Sequence, residues 1–333
     1  MRGINTDKIT LAHGGGGKKT EDIIRGIFQK YLNDPVLAEM DDGAVLEDLV
    51  FSTDSFVVNP IFFPGGDIGR LAISGTVNDI AVMGARPLYL SLGFIIEEGF
   101  EISSLEKILI SIKEASEEAG VRIVTGDTKV VEKGKADGIY INSSGIGKTL
   151  LSSPPSRYRI EPGDLVLING EIGLHGTAIL VAREELGIKA DIKSDVAPLW
   201  PLIESIISPS VKFMRDPTRG GLAAVLNEIV EGMNFGIRLW EEKLPVSQEV
   251  AGICEVLGFD PLQLANEGKV VVFVKKEDAE SVLEKMKSHP LGKQAEIIGE
   301  VTDEFPGKAV LKTTLGTHRI IEQPMGELLP RIC

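Results

Sequence analysis

Cysteine is almost absent: the 333 residues hold two, Cys254 and Cys333, too few for a disulfide framework and without a Cys-x-x-Cys pair for zinc or redox work. Aromatic residues are sparse at 5%, so a core has to be built from Ile, Leu, Val and Ala, which are plentiful enough for an ordinary globular composition. No run approaches the ~18 apolar residues of a membrane span, and the start, Met1-Arg2-Gly3-Ile4-Asn5-Thr6-Asp7, lacks the apolar centre of a signal peptide. The expected location is cytoplasmic. Positive charge is in deficit, and a formal net charge of -14 repels phosphate backbones and anionic lipid, which disfavours nucleic acid and membrane surfaces as partners. No repeat signals a solenoid, and one glycine run is the only low-complexity tract.

What is present alternates strand and helix. Apolar spacing predicts helices over residues 21–31, 68–83, 104–119, 177–186, 197–207, 221–231 and 277–287, a helix running to Leu257, and strands over 49–52, 88–96, 121–125, 138–146, 165–168, 236–240 and 269–275. Short strands are expected between 295 and 321. This is an α+β chain with α/β-like alternation, long enough for about two domains that each bury a core. Ser152-Ser153-Pro154-Pro155 reads as a linker, and Pro162-Gly163-Asp164 as the turn into a new strand. The expected segments are 1–40 (glycine-rich), 41–155, 156–316 and a tail, 317–333.

The chemistry-bearing residues sit in short motifs. His13 precedes Gly14, Gly15, Gly16 and Gly17, whose backbone N–H groups could close over phosphates or merely link. A Walker A loop is rejected, because Gly17-Lys18 is followed by Lys19 rather than Ser or Thr. Acids punctuate what read as strand ends and turns: Asp41 and Asp42 before Gly43, Asp54 after Thr53, Asp79 after Asn78, and Asp127 after Gly126. Each alone reads as a turn or cap, but together, beside a glycine loop, they suggest shared Mg²⁺ and phosphate. Arg215-Asp216-Pro217-Thr218-Arg219-Gly220-Gly221 leads into a helix whose start suits a phosphate or an N-cap. Asn266-Glu267-Gly268 precedes a strand. Cys254 shares a helical face with Val250, Ile253 and Leu257 and reads as core. Cys333 closes Pro330-Arg331-Ile332-Cys333; a sulfur at a chain end can enter a narrow site that a mid-loop thiol cannot, or the position is incidental. Prenylation is excluded, since that signal sets the cysteine four residues from the end.

Taken together, Asp41-Asp42-Gly43-Ala44, Thr53-Asp54, Val77-Asn78-Asp79-Ile80-Ala81, Gly84-Ala85-Arg86-Pro87 and Thr125-Gly126-Asp127-Thr128 resemble the aminoimidazole ribonucleotide synthetase superfamily of ATP-using enzymes. With the His13-Gly14 run, Lys129-Val130, Arg215 to Gly221, Asn266-Glu267-Gly268 and the Pro-Arg-Ile-Cys end, the chain is similar to the hydrogenase maturation factors of the HypE family. The resemblance implies a two-domain PurM-like fold, a homodimer packed through N-terminal domains, ATP and Mg²⁺ in acidic loops, and a mobile C-terminal tail. It implies a carbamoyl group placed on Cys333 by the carbamoyltransferase HypF, its dehydration to a thiocyanate, and delivery of cyanide for [NiFe] hydrogenase iron to a HypC–HypD complex. Carried over by motif, nucleotide contacts fall to His13, Gly14 to Gly17, Asp42, Asp54, Asn78, Asp79, Gly126, Asp127, Thr218 and Arg219. Metal ligands fall to Asp41, Asp42, Asp54, Asp79 and Asp127, with Cys333, Glu267 and Lys129 catalytic and the proton acceptor left open between the last two.

Two other readings remain at this level. A thiamine monophosphate kinase would have no use for a terminal cysteine, and a selenophosphate synthetase would carry a reactive Cys or selenocysteine near its N-terminus. A carrier of a tail cyanated elsewhere would show no ATP turnover dependent on a carbamoylated tail.

Overall fold

A computed structural model of the chain describes residues 8–32, 34–184, 187–326 and 329–333. The N-terminal segment is helical in pieces: α1 (Lys18–Ile23), a π-turn (Ile24–Phe28), α2 (Gln29–Tyr31) and α3 (Pro35–Ala38). The first half then builds β1 (Ala44–Leu46), β2 (Leu49–Phe56), a small hairpin of β3 (Phe62–Phe63) and β4 (Gly66–Asp67), α4 (Ile68–Val82), β5 (Ala85–Glu97), α5 (Ile102–Ala119), β6 (Arg122–Val131) and β7 (Ile139–Thr149). Its main sheet has the order β1-β2-β7-β5-β6, with β5 and β6 parallel and the other pairs antiparallel. The second half adds β8 (Leu165–Ile168), α6 (Leu174–Ala182), α7 (Trp200–Ile206), β9 (Val211–Arg215), α8 (Gly221–Val230), β10 (Gly236–Trp240), α9 (Gln248–Leu257), β11 (Val271–Val274), α10 (Ala279–Ser288), β12 (Glu296–Thr302), β13 (Ala309–Lys312) and β14 (His318–Ile320). These strands form a seven-stranded sheet, β14-β13-β10-β12-β8-β11-β9.

The centre of the molecule is α4. Asp67 caps it through hydrogen bonds from Gly69 N at 2.7 Å and Arg70 N at 3.0 Å, and nearly every residue from Ile68 to Val82 is buried. A helix apolar all round needs cover on every side. Here β2, β5 and β7 lie on one side, α5 and α7 on others. The apolar cluster around Leu71, Ile73 and Val77 therefore continues through Ile203 and Val272 to Ile332 in the tail. A separate cluster, confined to the second half, surrounds Phe213, Phe273 and Ile237.

Several elements depart from their expected bounds. The helix expected over 177–186 is seen at Leu174–Ala182, and Leu186 lies outside the described residues. The strand expected to stop at Thr125 runs on to Val131. Cys254 is buried on α9 as expected, where burial pushes its thiol up to about 11. Among the described residues no helix is long and apolar enough to cross a membrane.

Candidate active site

A cleft of about 560 Å³ opens between the N-terminal segment, the first sheet and the Arg215–Gly221 turn, a size suited to a small-molecule site. Gly16, Gly17, Asp42, Asp54, Asp79, Asp216, Thr218, Arg219, Glu267 and Cys333 all line it. The glycine loop lies at one end. Gly16 has φ +71, and a Cβ there would come within 2.6 Å of the Arg219 Cβ, so only glycine lets the loop approach this closely. Gly16 N–H donates to Thr20 Oγ1 at 3.0 Å, and Arg219 donates to Gly14 O at 3.1 Å. The loop is thus tied both to α1 and to the turn before α8.

Three carboxylates meet on the floor. Asp42 comes from the turn before β1, Asp79 from the last turns of α4 and Asp216 from the end of β9, and one oxygen of each lies within 4.8 Å of the others. Burial raises all three above the usual 3.8, Asp42 to about 6 and the other two well above it, and the mutual repulsion of the acids adds to the shift. Asp54 is also raised by burial, while Arg219 and a hydrogen bond with Asp79 act against the shift. Ser52 donates to Asp79 at 2.6 Å. Arg215 reaches Asp42 at 3.1 Å and Glu228 at 3.2 Å; burial opposes its charge, but these carboxylates hold it firmly protonated. Clustered hard oxygen donors of this kind fit a divalent cation such as Mg²⁺, whose charge would relieve the repulsion.

Glu267 faces the cleft from the far wall. It is 3% exposed, and its Oε1 is buried with no hydrogen-bond partner among the described residues. Burial first, then the charges of Asp216, Asp195 and Asp54, push its pKa well above the usual 4.5. Its backbone is fixed by Asp195, which accepts from Glu267 N and Gly268 N at 3.2 Å each and pairs with Lys269 at 3.0 Å. A Cβ on Gly268 would lie 1.9 Å from Asp195 O. The loop tolerates no side chain there.

The remaining expected site residues fall elsewhere. Asn78 points away from the cleft: its amide donates to Ala197 O at 3.2 Å and accepts from Leu199 N at 2.7 Å, joining α4 to the chain before α7. His13 accepts from Thr10 N at 2.9 Å within a capping turn, and neither it, Gly14 nor Gly15 is on the cleft wall. Asp41 lines the cleft beside Asp42 but is not one of the three clustered carboxylates. Gly126, Asp127 and Lys129 lie in the middle of β6, not in a turn, and within one chain Asp127 and Lys129 pair with each other at 2.6 Å away from the cleft. Asp54 stands on β2 and Asp79 on α4, the helix expected over 68–83. Asp216 was not singled out as a metal ligand; its sequence signal was its place in the Arg215–Gly221 turn.

The tail is seated inside. Val57 N donates to Cys333 O at 3.0 Å and Asn59 N to Arg331 O at 3.1 Å, so residues 331–333 align along the chain that continues β2. His175 Nε2 bonds Ile332 O at 2.7 Å. Arg331 forms an ion pair with Asp137 and donates to Val57 O at 2.8 Å.

Residues 40–149 match the model for the AIR synthase related protein, N-terminal domain, and residues 161–312 that for its C-terminal domain. A carbamoyl dehydratase HypE of Rhodobacter capsulatus is 45% identical over 99% of this chain and 99% of its own. A HypE solved in a complex with HypF is 51% identical, with a TM-score of 0.88 over 91% of this chain and 99% of that one. A HypE solved with ATP is 44% identical, with a TM-score of 0.82 over 98% and 100%. With both domains in order and likeness of this extent over nearly the whole length, the chain belongs to the HypE family of AIR synthase related proteins.

Proposed function

We propose that this chain uses ATP to dehydrate an S-carbamoyl group on Cys333 to a thiocyanate that serves as a cyanide source for hydrogenase maturation. One observation carries the reading: Cys333 lines the same cleft as Gly16 and Gly17, the carboxylate trio and Glu267. Converting Cys–S–C(=O)NH₂ to Cys–S–C≡N removes water, and hydroxide is a poor leaving group because water ionises with a pKa of about 15.7. Transfer of the ATP γ-phosphoryl group to the carbamoyl oxygen makes phosphate the leaving group, whose second ionisation is near pH 6. The nitrogen loses two protons, the C–O bond breaks, and ADP and phosphate leave. The glycine loop and Thr218 would hold phosphates, Arg219 would balance their charge, and Asp42, Asp79 and Asp216 would hold Mg²⁺, which supplies charge neutralisation. Glu267 is placed to take a proton.

The test is mass spectrometry of the C-terminal peptide after incubation with a carbamoyl donor system and ATP. The expected product is a thiocyanate on Cys333, absent without ATP and absent from Cys333→Ser. ATP turnover that proceeds equally with an unloaded Cys333→Ser chain would overturn the reading.

A homodimer is the proposed assembly, and β6 supports it. Residues 122–130 of this edge strand are all exposed, with Val124 at 53% and Val130 at 68%, and an apolar edge of this kind calls for a partner. Because Lys129 lies away from its own chain's cleft, a catalytic Lys129 would have to come from a second copy. Mixing Lys129→Ala with Glu267→Gln chains is then expected to restore about a quarter of the sites, because half of randomly formed dimers hold one intact site. No recovery, in exchangeable dimers, would confine each site to one chain. HypF as carbamoyl donor is supported by the relative solved with it, and a HypC–HypD complex is the proposed acceptor.

A further inference from the structure

We infer that His175 and Arg183 are positioning residues that seat the tail by its main chain and thereby fix where the Cys333 sulfur lies. The inference rests on the reading of Cys333 as the substrate carrier, but its first readout does not. Each carbonyl from Pro330 to Cys333 has a donor. Arg183 Nη2 donates to Pro330 O and, at 3.1 Å, to Arg331 O, while its Nε holds Asn59 O at 2.9 Å. Asn59 N also serves Arg331 O, His175 serves Ile332 O at 2.7 Å, and Val57 N serves Cys333 O.

Two features make this a measuring device rather than incidental packing. First, the guanidinium of Arg183, at the C-terminal end of α6, joins the turn after β2 to the tail, so its planar fork spaces one against the other. Second, His175 is fully buried, its Nδ1 bonded to Ser194 Oγ at 2.8 Å and its ring edge-on to Phe63 at a centroid distance of 5.5 Å. A ring fixed on both sides cannot follow a tail that slides, so the carbonyl must come to it. Because the contacts are to carbonyls, a shift by one residue would leave the Ile332 side chain, itself 4% exposed in the shared core, on the wrong face. The register is thus set by backbone contacts and by one apolar side chain.

The test reads Cys333 in the whole protein. In Arg183→Ala the rate of Cys333 alkylation, followed by peptide mass spectrometry, is expected to rise about tenfold through loss of hydrogen bonds from a charged donor. Single-turnover cyanation of preloaded chain should fall by a similar factor with ATP affinity unchanged and the protein still folded. Arg183→Lys keeps the charge but not the fork and should recover only part of the protection. Asp137→Ala, at a site 64% exposed where folding is safe, removes the Arg331 pairing and should move alkylation in the same direction. If alkylation is unchanged in folded Arg183→Ala and His175→Ala, the inference is wrong. Faster alkylation in a protein that never forms thiocyanate would uphold the cradle and overturn the proposed function instead.

Discussion

Glu267→Gln is expected to keep ATP binding and to slow thiocyanate formation by about 10² to 10⁴-fold, the range that a positioned proton acceptor contributes. Gln keeps the size and the hydrogen-bonding capacity of the side chain and removes only its ability to accept a proton. Glu267 is suited to that task because burial, reinforced by Asp216, Asp195 and Asp54, makes its carboxylate an unusually strong base once ionised. Its buried Oε1 has no hydrogen-bond partner among the described residues, on a residue that lines the cleft. Backbone bonds from Glu267 and Gly268 to Asp195 keep the carboxyl in place whichever residue occupies 267. Mass spectrometry of the Cys333 peptide with calorimetry of ATP separates chemistry from binding. Full cyanation by the variant would transfer the role to Lys129.

Asp216→Asn should weaken Mg-ATP binding by at least about 10 to 100-fold, since even the partners that orient metal ligands are worth that much. The same change should stabilise the empty protein. Asp42, Asp79 and Asp216 repel one another, and their folded pKa values lie above the usual 3.8, Asp42 at about 6. For a carboxyl raised on folding, the stability it contributes is complete below 3.8 and is lost as pH rises through the folded value. Asp42 therefore makes the empty site less stable between pH ~4 and ~6, Asp79 and Asp216 carry the loss to higher pH, and a cation must displace the retained protons and binds more tightly as pH rises. Melting temperatures with and without Mg-ATP across that window check both signs. A variant with wild-type affinity would remove Asp216 from the metal set.

Periodicity was enough to find most elements, because α5 carries Ile108, Ile112, Ala115 and Ala119 at helical spacing on a helix that is otherwise exposed. It failed where tertiary contact overrides local pattern. Gly126 and Asp127 read as a turn, yet parallel pairing of Gly93 with Asp127 and Ile95 with Lys129 carries the strand straight through them. Asp79 lies on the helix expected over 68–83, where the Ser52 hydroxyl donates to it while Asp42 and Asp216 crowd it. The trio itself joins positions 42, 79 and 216, a grouping no sequence window contains. Asn78 illustrates the converse: a polar residue beside a site acid, with its amide spent on the chain at Ala197 and Leu199. What the sequence could state outright was chemical, a cysteine at the end of the chain; the carbonyl-by-carbonyl seat that receives it depends on Asn59, His175 and Arg183, which carry no pattern.

Ile332 belongs at once to the tail and to the apolar cluster around α4. An ordinary core side chain stays for the life of the fold, whereas the proposed loading of Cys333 by another protein would withdraw this one. Re-exposing an isoleucine costs about 1.5 to 3 kcal/mol, a factor of roughly ten to a hundred in population. The folded state thus acts as a spring that returns its own substrate. A donor protein that draws the tail out would have to offset the loss of this burial and of the carbonyl hydrogen bonds, and the same contacts would favour the loaded tail's return.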